Sequence, residues 1–271
     1  MNKESGKKKI VVIGGTGLIG SKVVKMLKAD GFEAVAASPD TGVNTLTGEG
    51  LAEVLEGAEV VVDVSNSPSF EEKAAMDFFT TSTNNLLKYE ADAGVKHHVA
   101  LSIVGIEHMT EVGYYRAKIA QEKLIKESSI PYTIVHATQF FEFAKGIADS
   151  ATDGDTVRLA PIQIQPMAAD DVAKAVVRVA ERTPINGTVE IGGPEVLTLV
   201  EFIEKGLKAR NDERKVVVDP DARFFGAVLS RMSLLPSDGA RLASTRFEDW
   251  TADSKNQIPQ GEAKPRSATA S

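Results

Sequence analysis

Ile10–Val11–Val12–Ile13–Gly14–Gly15–Thr16–Gly17–Leu18–Ile19–Gly20 is a β-branched run that feeds straight into a glycine-rich turn. A continuous apolar run of this kind reads as a strand buried on both faces. From Leu18 to Ala29 the apolar residues Val23, Val24 and Leu27 recur at helical spacing, and the pattern stops near Gly31. Gly14, Gly17 and Gly20 hold the first, fourth and seventh positions of a GxxGxxG pattern between the two. Such a turn needs backbone angles that glycine adopts cheaply. It also needs room for close approach to a diphosphate, and helix amides left to face that charge. The stretch predicts the first crossover of an α/β fold, with a dinucleotide held at Gly14, Thr16, Gly17, Leu18, Ile19 and Gly20.

The same cadence continues outward. Glu33–Ala37, Glu59–Val64, His98–Ile103 and Tyr132–Ala137 read as further strands. Between them, helices are predicted at Gly50–Glu56, Phe70–Ala93 and Gly113–Ser128, the second opened by a capping box at Ser69–Glu72. Alternation of this kind predicts a Rossmann-type, doubly wound parallel sheet with helices on both faces. After about residue 138 the cadence loosens. Val157–Leu159 and Thr188–Ile191 read as strands, and Asp170–Arg182 as a helix with an acidic N-cap. A second capping box at Thr198–Glu201 opens a helix to about Arg210. The expected division is a tail over 1–8, a nucleotide domain over 9–194, a small C-terminal substrate lobe over 195–250 and a disordered tail over 251–271.

Composition narrows the function. With 31 Lys plus Arg against 38 Asp plus Glu, the net charge is −7, which argues against a nucleic-acid partner. The absence of cysteine excludes disulfides, thiolate metal sites and a cysteine nucleophile. Four histidines at irregular spacing make no metal site. No apolar run reaches the roughly 18–20 residues of a membrane helix, and Gly14–Gly15 interrupts what would be the core of a signal peptide. A cytoplasmic protein acting on a small molecule is the expectation.

The second strand ends Ala36–Ala37–Ser38–Pro39, with no acid to hold a ribose 2′-hydroxyl before Asp40. Ser38, with Lys22, suits a 2′-phosphate, so NADP(H) is favoured over NAD(H). Tyr114 and Lys118 stand at i and i+4 on the helix after the fourth strand, and Ser102 lies near that strand's C-terminal end. An ammonium beside a phenol favours the phenolate and brings it toward the working range of an acid–base catalyst.

Gly14–Gly20, Asn44, Val60–Asn66, Thr83–Leu87, Ser102 and the Tyr114–Lys118 pair together resemble the short-chain dehydrogenase/reductase superfamily, closest to its atypical NmrA-like branch of NAD(P)-binding reductases. The likeness spans roughly residues 8–250. It implies Ser102 as the carbonyl-polarising hydroxyl, Tyr114 as the general acid/base, and Lys118 on the nicotinamide ribose. It also implies Asn44 near the adenine, Ser65 and Asn66 along the ribose side, and Ala137–Thr138 bordering the nicotinamide. Phe79 replaces an asparagine that many relatives use in a proton relay, and His136 stands where relatives often show arginine.

The resulting expectation is a hydride transfer to a carbonyl or quinone-like molecule by a Ser-Tyr-Lys mechanism. Its rivals are an NAD(P)-sensing regulator without turnover, as several NmrA-like proteins are, and a sugar-nucleotide epimerase or dehydratase. The last would require a basic pocket, and only scattered Lys205, Lys208, Arg210, Arg214 and Lys215 follow residue 195. Gln139–Phe140–Phe141–Glu142–Phe143 offers either lobe core or a stacking surface for a flat substrate, with Glu142 solvated.

Overall fold

A computed structural model describes residues 7–253. In chain order, β1 (Lys9–Ile13), α1 (Gly20–Ala29), β2 (Glu33–Ala37), α2 (Leu51–Leu55), β3 (Ala58–Asp63), α3 (Glu72–Ala93), β4 (His97–Ile103), α4 (Gly113–Glu127) and β5 (Tyr132–Ala137) form the first part. There follow α5 (Ala144–Ser150), β6 (Thr152–Asp153), β7 (Thr156–Leu159), β8 (Gln163–Ile164), α6 (Ala169–Ala180) and β9 (Gly187–Gly192). The chain closes with β10 (Leu197–Thr198), α7 (Leu199–Lys208), β11 (Lys215–Val218), β12 (Arg241–Leu242) and α8 (Phe247–Ala252).

The main sheet has seven strands in the order β2-β1-β3-β4-β5-β9-β12, and every pairing is parallel. Strand side chains alternate between faces and both faces are covered, which is why Ile10–Ile13 of β1 is apolar without a break. Ile10, Val12, Val60, Val62 and Val99 pack with Val23 and Leu27 of α1 and Val172 and Val176 of α6. On the other face Val11, Ile13 and Val61 meet Leu51, Leu55 and Leu86, while Ile125 of α4 covers Ala100 and Ile134. The chain leaves β1 for β2 on one side and returns to β3 on the other. A crevice therefore opens beyond the C-terminal ends of β1 and β3.

A second core gathers Phe141, Leu159, Ile164, Phe202, Leu234 and Phe247, beside two small sheets, β11-β7-β6 and β10-β8. Its residues come from both sides of α6 and β9, and β12 returns from inside 195–250 to pair with β9 in the main sheet.

Local reading misplaced the start of one helix and the cap of another. Helix α3 begins at Glu72, because the Ser69 hydroxyl accepts the Glu71 amide at 3.2 Å and closes a turn ahead of the helix. Helix α6 is capped from afar. Both carboxylate oxygens of Glu142 accept the Ala169 amide at 3.1 Å, so Glu142 is a tertiary cap and is not solvated. Asp170 and Asp171, expected to cap it, instead pair with Lys22 and Lys174. Thr251 and Ala252 end α8, while the remainder of the expected tail from 254, and residues 1–6, lie outside the described residues. No described helix is long and apolar enough to cross a membrane.

Candidate active site

The amides of Gly14 and Gly15 donate to Ala37 O at 2.9 and 3.3 Å, and Gly17 N donates to Gly14 O at 3.0 Å, closing the turn after β1. Gly14 has φ +74°, and a Cβ there would lie 2.9 Å from Ser65 Cα at the end of β3. A Cβ on Gly20 would collide with the Gly14 carbonyl. Gly15, which the spacing pattern passes over, lets the turn lie against Ala36 of β2, with its virtual Cβ 2.7 Å from the Ala36 Cα. The Gly14–Gly15 doublet was the readable signal.

Gly17 differs. It is exposed, and among the described residues a Cβ on it would meet only Gly14 O, at 3.3 Å. The amides of Thr16, Leu18, Ile19 and Gly20 donate to no acceptor among the described residues. Unpartnered amides at a helix N-terminus, with clear space over a glycine, fit a diphosphate.

At the end of β2 the Ser38 hydroxyl is buried without a partner. Lys22, expected beside it, is bound to Asp170 at 2.8 Å across α1 and α6 and is not available there. Asn44 Oδ1 accepts the amides of Leu46 and Thr47 at 2.9 and 3.4 Å, so the side chain folds its own loop. Thr138 is buried and donates to Gln165 O at 2.6 Å, which ties the end of β5 to the β8 segment. Ala137 lies in the sheet core.

Tyr114, Lys118 and Ser102 lie on the elements expected of them, and no hydrogen bond among the described residues joins any two of them. The Tyr114 hydroxyl donates to Asn66 Oδ1 at 2.7 Å. Lys118 is buried, and its ammonium donates to Leu101 O at 2.8 Å and Gln121 Oε1 at 2.6 Å. Gln121 in turn donates to Asp63 Oδ2 at 3.0 Å, and Asp63 Oδ1 accepts both the amide and the hydroxyl of Ser65. Ser102 donates to Glu122 Oε1 at 2.6 Å, so its hydrogen is not free for a carbonyl.

The expected lowering of the phenol is overturned. Burial pushes Tyr114 up to about 12, with the Asn66 hydrogen bond a smaller opposing effect. Burial brings Lys118 down to about 8, against the pull of the Asp63 and Glu122 charges. Phe79 contributes to that burial, its ring centroid lying 4.8 Å from the Lys118 ammonium and 5.9 Å from the Tyr114 ring.

Sequence reasoning missed Asp63, Gln121 and Glu122. The last two stand at i+3 and i+4 from Lys118, a signal that was available. Glu122 also binds His136 at 2.8 Å and Lys126 at 2.9 Å. Burial works to raise its carboxyl, but the bonds and charge from His136, with Ser102 and Lys126, hold it at about 2. A folded value below the ordinary 4.5 contributes stability that is complete above that pH and lost as pH falls toward 2. Glu122→Gln should therefore lose on the order of 2 kcal/mol near neutrality, with a flatter decline in acid than the parent. Urea unfolding at several pH values checks this, and parallel curves for the two proteins would contradict it. Arg214, among the scattered basic residues, is bound to Asp149 and Asp212 and makes no basic pocket.

The sequence model of the NAD(P)H-binding family matches residues 14–183. Photosystem II assembly factor Ycf39 of Synechocystis is 24% identical, covering 92% of this chain and 78% of that protein. Divinyl chlorophyllide a 8-vinyl-reductase of Arabidopsis thaliana is 26% identical, covering 81% of this chain and 61% of that protein. Among solved structures, dTDP-4-dehydrorhamnose reductase of Bacillus anthracis in complex with NADP has a TM-score of 0.70 at 14% identity, covering 91% of this chain and 97% of that one. At that identity the likeness concerns the fold.

Proposed function

Because the chain belongs to the NAD(P)H-binding family, in its atypical NmrA-like short-chain dehydrogenase/reductase branch, we propose that it is an NADPH-dependent reductase of a carbonyl or quinone-like acceptor, with Tyr114 as proton donor. The observation that carries this reading is an adjacency along the chain: Gly14 of the glycine turn lies against Ser65, and the next residue, Asn66, accepts the Tyr114 hydroxyl.

When bound, the nicotinamide supplies a hydride with its electron pair. The amides of Thr16, Leu18, Ile19 and Gly20 hold the diphosphate. Tyr114 keeps its proton through the neutral range, because burial holds the phenol near 12. It therefore works as an acid: its hydrogen swings from Asn66 to the acceptor oxygen as negative charge develops there, and solvent returns the proton. Asp63, through Ser65, fixes the backbone that carries Asn66.

NADPH is favoured by the C-terminal end of β2, where Ala36, Ala37 and Ser38 place no carboxylate for a ribose 2′-hydroxyl. Titration with both reduced cofactors should show NADPH binding at least about tenfold tighter, about 1.4 kcal/mol. Equal or tighter binding of NADH would overturn that preference.

A second reading is a cofactor-sensing protein without turnover. It draws support from Lys118 and Ser102, which are tied to Gln121 and Glu122 and away from Tyr114. The relatives' names span both possibilities, an assembly factor and a reductase. NADPH oxidation across a panel of quinones, aldehydes and conjugated alkenes separates the two: turnover supports the reductase, and binding without turnover supports the sensor.

A further inference from the structure

Phe70, on the loop between β3 and α3, is 71% exposed, more than any other large apolar side chain that is described. Leaving such a ring in water forgoes hydrophobic stabilisation that a bound apolar surface would recover. The ring is not isolated, since its centroid lies 5.1 Å from that of Tyr114 at an interplanar angle of 52°. The same loop supplies exposed Asn66, whose Oδ1 accepts the Tyr114 hydroxyl. At its start, Ser65 abuts the glycine turn. Hydrogen bonds brace the loop: Ser65 is held to Asp63, and the Ser67 hydroxyl donates to Ser69 O at 2.7 Å.

The sequence leaves Phe140, Phe141 and Phe143 open between lobe core and a stacking surface. Phe141 is in the lobe core, against Phe202, Phe247 and Trp250. Phe140 and Phe143 stack on each other at 5.3 Å.

We propose that Phe70 and Asn66 form the acceptor-recognition element, with the Phe70 ring stacking on a planar conjugated carbonyl compound and the Asn66 Nδ2 donating to its carbonyl oxygen. The assignment of the amide follows from its other atom, Oδ1, being committed to Tyr114. This inference rests on the reductase reading and narrows it: planar conjugated acceptors are preferred over aliphatic ones of similar size. An offset ring pair and an oriented amide supply that discrimination together.

The test uses 1,4-naphthoquinone and hexanal as acceptors, in a chain with no cysteine for the quinone to alkylate. Phe70→Ala should lower the ratio of kcat/KM for naphthoquinone to that for hexanal at least about tenfold, about 1.4 kcal/mol, and Phe70→Trp should preserve it. Equilibrium dialysis of naphthoquinone against the NADP+-loaded protein gives a readout independent of turnover. Phe70→Ala and Asn66→Asp should each weaken that binding about tenfold, with an unchanged unfolding midpoint of the ligand-free protein as the check on folding. Should the parent turn over neither acceptor while naphthoquinone binding still depends on Phe70, the reductase reading falls and the recognition element stands. Naphthoquinone binding or an acceptor ratio unaffected by Phe70→Ala would overturn the inference and leave the reductase reading in place.

Discussion

Gly17→Val should remove dinucleotide binding while leaving the fold standing. The neighbouring glycines cannot make this separation. A side chain on Gly20 would strike the Gly14 carbonyl, and one on Gly15 would strike the backbone of β2, so those variants damage the packing of α1 before any ligand arrives. At Gly17 the only neighbour of a new Cβ among the described residues is Gly14 O, at 3.3 Å, and the position is exposed beside the free amides, with room for the isopropyl group. That is the space a diphosphate must enter. The expected result is a loss of NADPH affinity of at least about 100-fold, about 2.7 kcal/mol. The unfolding midpoint of the ligand-free protein should move little, because no buried group is displaced. Titration calorimetry with thermal unfolding of the ligand-free protein checks both halves. Tight binding by the variant would mean that the diphosphate lies elsewhere.

Tyr114→Phe should cut kcat by about 10²–10⁴-fold, the range associated with losing a positioned proton donor. The ring contacts with Phe70, Phe79 and Tyr115 are kept by phenylalanine, so NADPH affinity should stay within about twofold of the parent. The pH dependence distinguishes an acid from the phenolate first expected. With the phenol near 12, kcat should not rise through a Tyr114 ionisation anywhere in the neutral range. A limb near pH 8 that survives in the Phe variant belongs to another group, and Lys118, at about 8, is the candidate. Unchanged turnover in Tyr114→Phe would remove the residue from the mechanism.

The two variants probe different parts of the molecule, and the sequence displayed them unequally. The glycine turn was legible because its logic is local: strand, turn and helix are adjacent in the chain, and each glycine answers a backbone requirement. The polar groups around Tyr114 were not. An i, i+4 spacing places Tyr114 and Lys118 on one helix face, but it does not say whether a ring will pack against both of them. Phe79, on a different helix, does so. Likewise Lys22 was a plausible phosphate ligand until α6 brought Asp170 to it, and Glu142 a solvated acid until the Ala169 amide claimed it.

The sequence by itself determined the parallel sheet, the order of its first five strands along the chain and the glycine-rich turn after the first of them. β-Branched runs and glycine spacing act within about a dozen residues, where no distant partner is needed. Only the tertiary structure decided which hydrogen-bond partner each buried polar side chain took, how the lobe is assembled from both sides of α6 and β9, and that Phe70 stands exposed beside Tyr114. A buried donor or charge must find a mate wherever the packing supplies one, and residues far apart in the chain competed for that place.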